Sequence, residues 1–360
     1  MPELDPARPT AGLPRALGEP LARLSTRVRE DDFTVEESLG FALDGEGGHL
    51  WLYVEKRGWN TDAAARRLAR AAGIPARDVG FSGMKDRWSV SRQWFSIPVP
   101  AAGSDAAVQE FECDSLRVLQ QARHGRKLRR GSHRANRFRV RLRGEAPSRD
   151  ALEGRMRTIA RLGVPNYFEA QRFGRRGDNV IAARAMLAGQ RVDRRRRSLY
   201  LSAARAFLFN AVLAARVEDG SWQRILPGEA VNLDGSRSIF VADDPASLRE
   251  RLARHDIHPS APLWGRGDAL ARDQALALER RAVAPFQDLT EGLERFGIDR
   301  ARRALRLPVR DLVWRRQDAW LELEFTLPRG AFATAVMREV VEARDARRNE
   351  PAHAQVRNST

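Results

Sequence analysis

The chain has 360 residues, enough for about two domains, each with its own buried core. Its 63 Lys and Arg against 47 Asp and Glu leave a net charge of +16, which favours a polyanionic partner, nucleic acid first. The single cysteine, Cys113, excludes an internal disulfide and a cysteine-built metal cage and fits a reducing cytoplasm. No apolar run approaches membrane-span length and no signal-peptide core stands at the N-terminus, so a cytoplasmic protein is expected.

In chain order, residues 1–24 are proline-rich without periodicity and read as a flexible leader. Phe33 and Val35 alternate with acids like a short strand, and His49–Lys56 alternates as a half-buried one. Asn60 caps a helix carrying Ala64, Ala65, Leu68 and Ala72, which Gly73 and Pro75 stop. Val79 and Phe81 end a strand, Ser82-Gly83 breaks it, and strand composition returns from Trp88 to Ile97. Asp86 therefore sits on a loop between two strands, flanked by Lys85 and Arg87. Loops collect charge, so a solvated turn is one reading of that carboxylate; the two glycines and the polar Ser89, Ser91 and Gln93 suit a built site.

A further strand is expected over 111–119. The densest basic run, Arg123 to Arg134, holds Arg126, Lys127, Arg129 and Arg130 and leads into a segment where Phe138, Val140 and Leu142 alternate with four arginines. Period-two geometry puts Arg137, Arg139, Arg141 and Arg143 on one face, where like charges need counter-charges; an RNA backbone would supply them. Ser148–Leu162 reads as a helix. In Val164–Gly174, Gln171, Arg172 and Phe173 suit either RNA contact or a domain junction. Beyond it, helices are expected over 199–217 and 245–255, and short strands over 222–228 and 238–241. Ala319–Leu327 alternates as a strand, Pro328-Arg329-Gly330 breaks it, and a helix carries Phe332, Val336 and Val340 on one face. The tail after Asp345 reads as disordered.

Cofactor chemistry finds no footing in the residues. No G-x-G-x-x-G opens a helix after a strand, and His255-x-x-His258 is a loose ligand spacing without a third partner. Neither a cofactor nor a metal is expected.

Gly83-Met84-Lys85-Asp86-Arg87, followed by Ser91 and Gln93-Trp94, resembles the signature of the TruD family of tRNA pseudouridine synthases. Further segments resemble that family's motifs in the family's order: Asp32-Phe33-Thr34-Val35-Glu36-Glu37, Asn136-Arg137-Phe138, Val164–Gly174 and Ala331-Phe332-Ala333-Thr334. The resemblance spans about residues 25–343. It implies an α+β fold: a pseudouridine-synthase catalytic domain with a mostly antiparallel mixed sheet flanked by helices, interrupted by an inserted α/β TRUD domain. The expected division is 25–162 and 308–345 for the catalytic domain and 163–307 for the insertion, with a disordered tail from 346.

For the site, the resemblance implies Asp86 as the catalytic carboxylate and Phe33, Asn136, Phe138 and Phe332 as contacts to the uridine. A basic residue lies six positions before the family's Phe; Arg27 occupies that place, where lysine is known in the family. Arg27 is the first candidate for the cation beside Asp86, with Lys85 and Arg87 as competitors. Glu169 stands where the family usually has glycine. The implied reaction isomerises uridine, at position 13 of tRNA, to pseudouridine in a flipped-out nucleotide, with the Asp attacking either C1′ or C6. It gains no atoms and needs no cofactor; tRNA is the expected partner, without membrane association, and a monomer is the expected state. Expected RNA contacts are Arg126, Lys127, Arg129, Arg130, Arg139, Arg141 and Arg172. A non-catalytic RNA-binding or RNA-folding protein using the same basic cleft is the main alternative, and an RNA methyltransferase a second.

Overall fold

Among the described residues of the first 143, seven strands form, alternation being clearest in β3 and β7: β1 (Arg23–Thr26), β2 (Phe33–Ser38), β3 (His49–Arg57), β4 (Gly80–Phe81), β5 (Val90–Pro98), β6 (Leu116–His124) and β7 (Ala135–Arg143). The computed structural model describes residues 3–99, 104–174, 177–236 and 238–349. Asn60 caps α1 (Thr61–Ala71), its side chain accepting the Ala63 N–H at 2.8 Å. α2 (Ser104–Phe111) packs against α1. Phe111 closes this helix with its ring in the core, so the strand expected from Phe111 starts instead at Leu116, after a tight turn closed by paired Cys113 and Leu116 backbone bonds.

α3 (Arg149–Leu162) then leads to β8 (Val164–Pro165), α4 (Asn179–Leu187), α5 (Arg194–Glu218), β9 (Ala230–Leu233), β10 (Ile239–Val241), α6 (Arg249–Ala253), β11 (Ile257–Leu263), α7 (Asp273–Val283), α8 (Gln287–Arg295), β12 (Ala301–Ala304) and β13 (Arg306–Leu307). The chain closes with β14 (Arg310–Gln317), β15 (Trp320–Pro328), α9 (Ala333–Val340) and β16 (Glu342–Asp345). Contacts divide it into two compact units. One comprises Leu21–Leu152, Arg310–Gly330 and the described part of Val341–Thr360; the other comprises the residues up to Pro20, Glu153–Val309 and Ala331–Val340.

The first unit is built on a ten-stranded sheet with the order β14-β15-β7-β2-β5-β3-β6; β1 pairs with β7 and β16, and β4 with β5. It is mixed but mostly antiparallel, the parallel pairs being β1–β16 and β2–β5. Both faces are covered. Leu52, Val54, Phe95 and Ile97 pack with Ala64 and Leu68 of α1, while Trp51 and Trp94 pack with Leu39 and Leu128. β2 lies between β5 and β7, so one face of the sheet brings Phe33, Val35 and Glu37 alongside Phe138 and Asn136.

The second unit has a helical core around α5, whose residues from Ala203 to Val217 are almost all buried. By length and composition α5 is apolar enough to match a membrane span, which the sequence reading missed; its apolar side chains are taken up by this core. A four-stranded sheet β10-β9-β11-β12 and the pair β8–β13 complete the unit. Residues expected as a loose leader contribute Leu4 and Leu13 to the same core. Trp222–Gly228, expected as a strand, forms turns instead: buried Arg216 donates to the carbonyls of Ser221 and Arg224 at 2.8 and 2.7 Å and pairs with buried Glu229 at 2.8 Å. Of the helix expected over 245–255, only Arg249–Ala253 forms.

Candidate functional site

The loop between β4 and β5 is fixed mainly through its backbone. Thr61 Oγ1, at the start of α1, accepts the Lys85 N–H at 2.8 Å and donates to Gln93 Oε1 at 2.9 Å; Gln93 Nε2 in turn donates to the Gly83 carbonyl at 3.2 Å. Ser89 Oγ donates to the Asp86 carbonyl at 2.8 Å, and Asp86 Oδ1 accepts the Trp88 N–H at 3.2 Å, closing an Asx turn. One carboxylate oxygen is held by the backbone, and the side chain as a whole remains 39% exposed.

Arg27 provides the cation. Its Nη2 lies 3.2 Å from Asp86 Oδ2 and its Nη1 lies 3.1 Å from Asp345 Oδ2 on β16. The guanidinium lies over the Phe33 ring at 4.5 Å, and Phe33 meets Phe138 edge-on at 6.1 Å. Arg27 has φ +59°, in the left-handed region that costs a non-glycine residue about 1 kcal/mol. Parallel pairing of Thr26 with Asp345 places the second carboxylate at this same strand end. Burial pushes the Asp345 carboxyl up, but Arg347 and Arg27 outweigh it and hold the group below its ordinary value. Asp345 went unnoticed in the sequence, where it looks like the start of a polar tail.

Lys85, the competing cation, turns away from Asp86. Its buried ammonium donates to Glu37 Oε2 at 3.1 Å and Asn136 Oδ1 at 2.7 Å. Proximity in sequence misleads here because Lys85 and Asp86 project in different directions from the loop. Asn136 is buried as well, with both ends of its amide engaged: Oδ1 accepts from Lys85, which leaves Nδ2 to donate to His133 Nε2 at 3.2 Å. His133 is then the Nδ1–H tautomer and donates to Ser82 Oγ at 2.5 Å, while its own N–H donates to the same oxygen at 2.8 Å. Burial, then Lys85 and Arg329, push the His133 imidazole down to about 4. Burial likewise raises Glu37, against the pull of Lys85. Glu37 could have been noticed, since alternation puts it on the apolar face with Phe33 and Val35.

The expected RNA contacts separate. Arg126, Arg129, Arg130 and Arg139 are exposed and Lys127 is half-buried. Arg130 stacks over Phe81 at 3.6 Å, and Lys127 Nζ donates to the Arg77 carbonyl at 2.7 Å. Arg141 is instead committed to the fold, donating through Nε and Nη2 to Glu322 Oε2 at 3.1 and 2.7 Å. Arg137 pairs with Glu324 and Arg143 with Asp32, so acids on neighbouring elements supply counter-charges that the sequence reading gave to RNA. Among the described residues Arg139 alone of the four has no ion pair.

Arg172 and Phe332 belong to the second unit. There Arg172 donates to Ser202 Oγ at 3.1 Å beside the Phe168 ring, and Phe332 packs edge-on against Phe168 at 6.2 Å. Burial lowers the Arg172 guanidinium, so its setting is that of a packing residue. Glu169 has φ −99°, a backbone angle open to any residue, and its carboxyl, raised by burial, faces Arg338 at 4.0 Å. No glycine geometry is required at that position.

A family model described as tRNA pseudouridine synthase D (TruD) matches residues 22–193 and 185–340. The chain is 48% identical to a tRNA pseudouridine synthase D of Methylococcus capsulatus over 92% of its own length and 94% of that protein. It is 47% identical to one of Pseudomonas entomophila, over 91% and 94% respectively. A crystal structure of a tRNA pseudouridine synthase D from Methanosarcina mazei has the same fold, with a TM-score of 0.75 at 19% identity, covering 94% of this chain and 98% of the other.

Proposed function

Since this chain belongs to the tRNA pseudouridine synthase D family, we propose that it isomerises uridine to pseudouridine in tRNA with Asp86 as the nucleophile. The observation that carries this reading is a half-exposed carboxylate anchored by one cation beside an aromatic wall. A uridine flipped out of its stack would bring its sugar and base to Asp86, with Phe33 and Phe138 as the aromatic surface beside it. Attack of the carboxylate on C1′ or on C6 forms a covalent intermediate and divides one hard step into two. The N1–C1′ bond breaks, the uracil turns, C5 bonds to C1′, the bond from the Asp86 oxygen breaks to return the free carboxylate, and the proton lost from C5 is balanced by one gained at N1. Arg27, 3.2 Å from Asp86 Oδ2, keeps the carboxylate aimed. By family resemblance the target is uridine 13; Asn136, whose amide is engaged by Lys85 and His133, acts through the loop that carries Asp86.

The experiment is release of tritium from tRNA carrying 5-tritiated uridine. Wild-type protein is expected to release it stoichiometrically with the target site. Asp86→Asn, which removes the nucleophile and keeps the shape, is expected to bind tRNA within threefold of wild type and release nothing above background. Appreciable release by that variant refutes the assignment of Asp86. A requirement for an added methyl donor would point to methyl transfer instead.

A further inference from the structure

Apart from the Asp86 site, the first unit has a cavity of ≈ 610 Å³ between α1, the Ala76–Arg77 turn, β4 and the Lys127–Arg130 loop. This is within the size range of small-ligand sites. Five cations line it: Arg66, Arg77, Lys127, Arg129 and Arg130; among its described lining residues Asp62 is the only carboxylate. Among the described residues none of the five has an ion pair, unlike Arg137, Arg141 and Arg143 of β7. Val79, Phe81 and Leu128, all buried, form an apolar floor.

The walls are built rather than incidental. Arg130 lies over the Phe81 ring at 3.6 Å, and Lys127 is tied to the Arg77 carbonyl, so cations from two separate loops are held together. Gly80 lets the strand pass under the loop: a Cβ there would stand 2.5 Å from the Leu128 carbonyl oxygen and 2.4 Å from Ser96 Oγ. An apolar floor beside a stacked guanidinium suits a planar base, and unpaired cations around it suit the phosphates on either side. Phe81 precedes Asp86 by five residues, so the chain keeps them within about 18 Å. An RNA with a uridine at Asp86 has a neighbouring nucleotide within reach of the cavity.

We propose that this cavity holds one unpaired nucleotide of the RNA substrate other than the uridine that is isomerised, an inference that rests on the tRNA reading above. Its base lies on the Val79–Phe81 floor and its phosphates meet Arg66, Arg77, Lys127, Arg129 and Arg130. The site adds binding energy away from the reacting bond, so its loss falls on affinity more than on chemistry.

The test uses full-length protein and unmodified tRNA. Arg66→Glu combined with Arg77→Glu reverses two of the cations, and Ala76→Trp, at an exposed lining position, fills the mouth without changing charge. Each is expected to raise KM for tRNA at least tenfold and to change kcat less than threefold, with an unchanged melting profile. Arg149→Glu with Arg157→Glu on α3 alters net charge by the same amount and is expected to leave both constants near wild type. Cavity variants that lose no more than this control overturn the proposal.

tRNAs with single abasic positions near the target then test the base. One position is expected to weaken wild type and to have no further effect on Ala76→Trp; strictly additive losses at every position overturn base recognition. Free uridine 5′-monophosphate separates the sources: saturable binding at micromolar concentration that leaves tRNA affinity unchanged would mark a free-nucleotide site and refute the proposal. If wild type releases no tritium from any tRNA, it is the enzymatic reading that fails, a result distinct from all of these.

Discussion

His133 shows how one buried imidazole can secure the loop that carries Asp86. Its Nε2 faces the Asn136 amide donor and its Nδ1–H is given to Ser82, so an added proton would set donor against donor beside the Lys85 ammonium. The unfolded chain takes that proton near pH 6.5, whereas the folded protein refuses it until about pH 4. Stability present above pH 6.5 is therefore lost as pH falls towards 4, by roughly 3 kcal/mol in all. Replacing His133 by Gln removes this dependence. In urea unfolding, the stability difference between wild type and His133→Gln should shrink by about 2 kcal/mol between pH 7 and 4.5. A difference that stays constant would mean that His133 is not held neutral. The choice of cation for Asp86 belongs to this scale as well: three basic residues were candidates in the sequence, and only side-chain direction, which sequence adjacency does not give, selects Arg27.

Among the elements, α9 has a task beyond its apolar face. Glu339 Oε2 accepts the N–H groups of Ala16 and Leu17 at 3.0 and 3.1 Å, and Arg338 donates to the carbonyls of Leu13 and Pro14 at 2.8 and 3.2 Å. Two adjacent helical residues thus clasp the N-terminal segment and keep Leu13 in the core of the second unit. Glu339→Ala strips two partly buried N–H groups of a charged acceptor and should cost about 2–4 kcal/mol in denaturant unfolding. It should also open the first 20 residues to proteolysis; Glu339→Gln, which keeps an acceptor, should cost less than half as much. Equal losses in the two variants would reject the clasp. The strands β2, β3, β5, β7 and β15 were legible because alternation is local. The counter-charges of β7 were not, because register with β15 brings Glu322 opposite Arg141 from 181 residues away. For the same reason the proline-rich start looked unattached, since its partners lie more than 320 residues further on.

For the whole molecule, the excess of +16 is a poor measure of the charge offered to RNA. Arg141, Arg143, Arg216 and Arg302 are paired with acids inside the fold, whereas Arg126, Arg129, Arg130 and Arg139 are exposed without an ion pair among the described residues. Neutralising about four phosphates would make tRNA affinity fall on the order of a hundredfold between 50 and 200 mM salt. A fluorescence titration over that range should show this steep decline, and a flat dependence would reject phosphate contact as the source of binding. Arg141→Gln should leave the slope unchanged, because its charge is already spent on Glu322.

The shared grip of Arg27 bears on the reaction cycle. In the proposed mechanism Asp86 gives up its negative charge when it becomes an ester or adduct and regains it on release. A buried cation with one partner would be left uncompensated at that moment, at a cost of several kcal/mol. Asp345 remains beside Arg27 throughout, so the guanidinium has a counter-ion in every state while the charge on Asp86 comes and goes. The pairing of β1 with β16 acts in this way as an electrostatic reserve for the covalent intermediate.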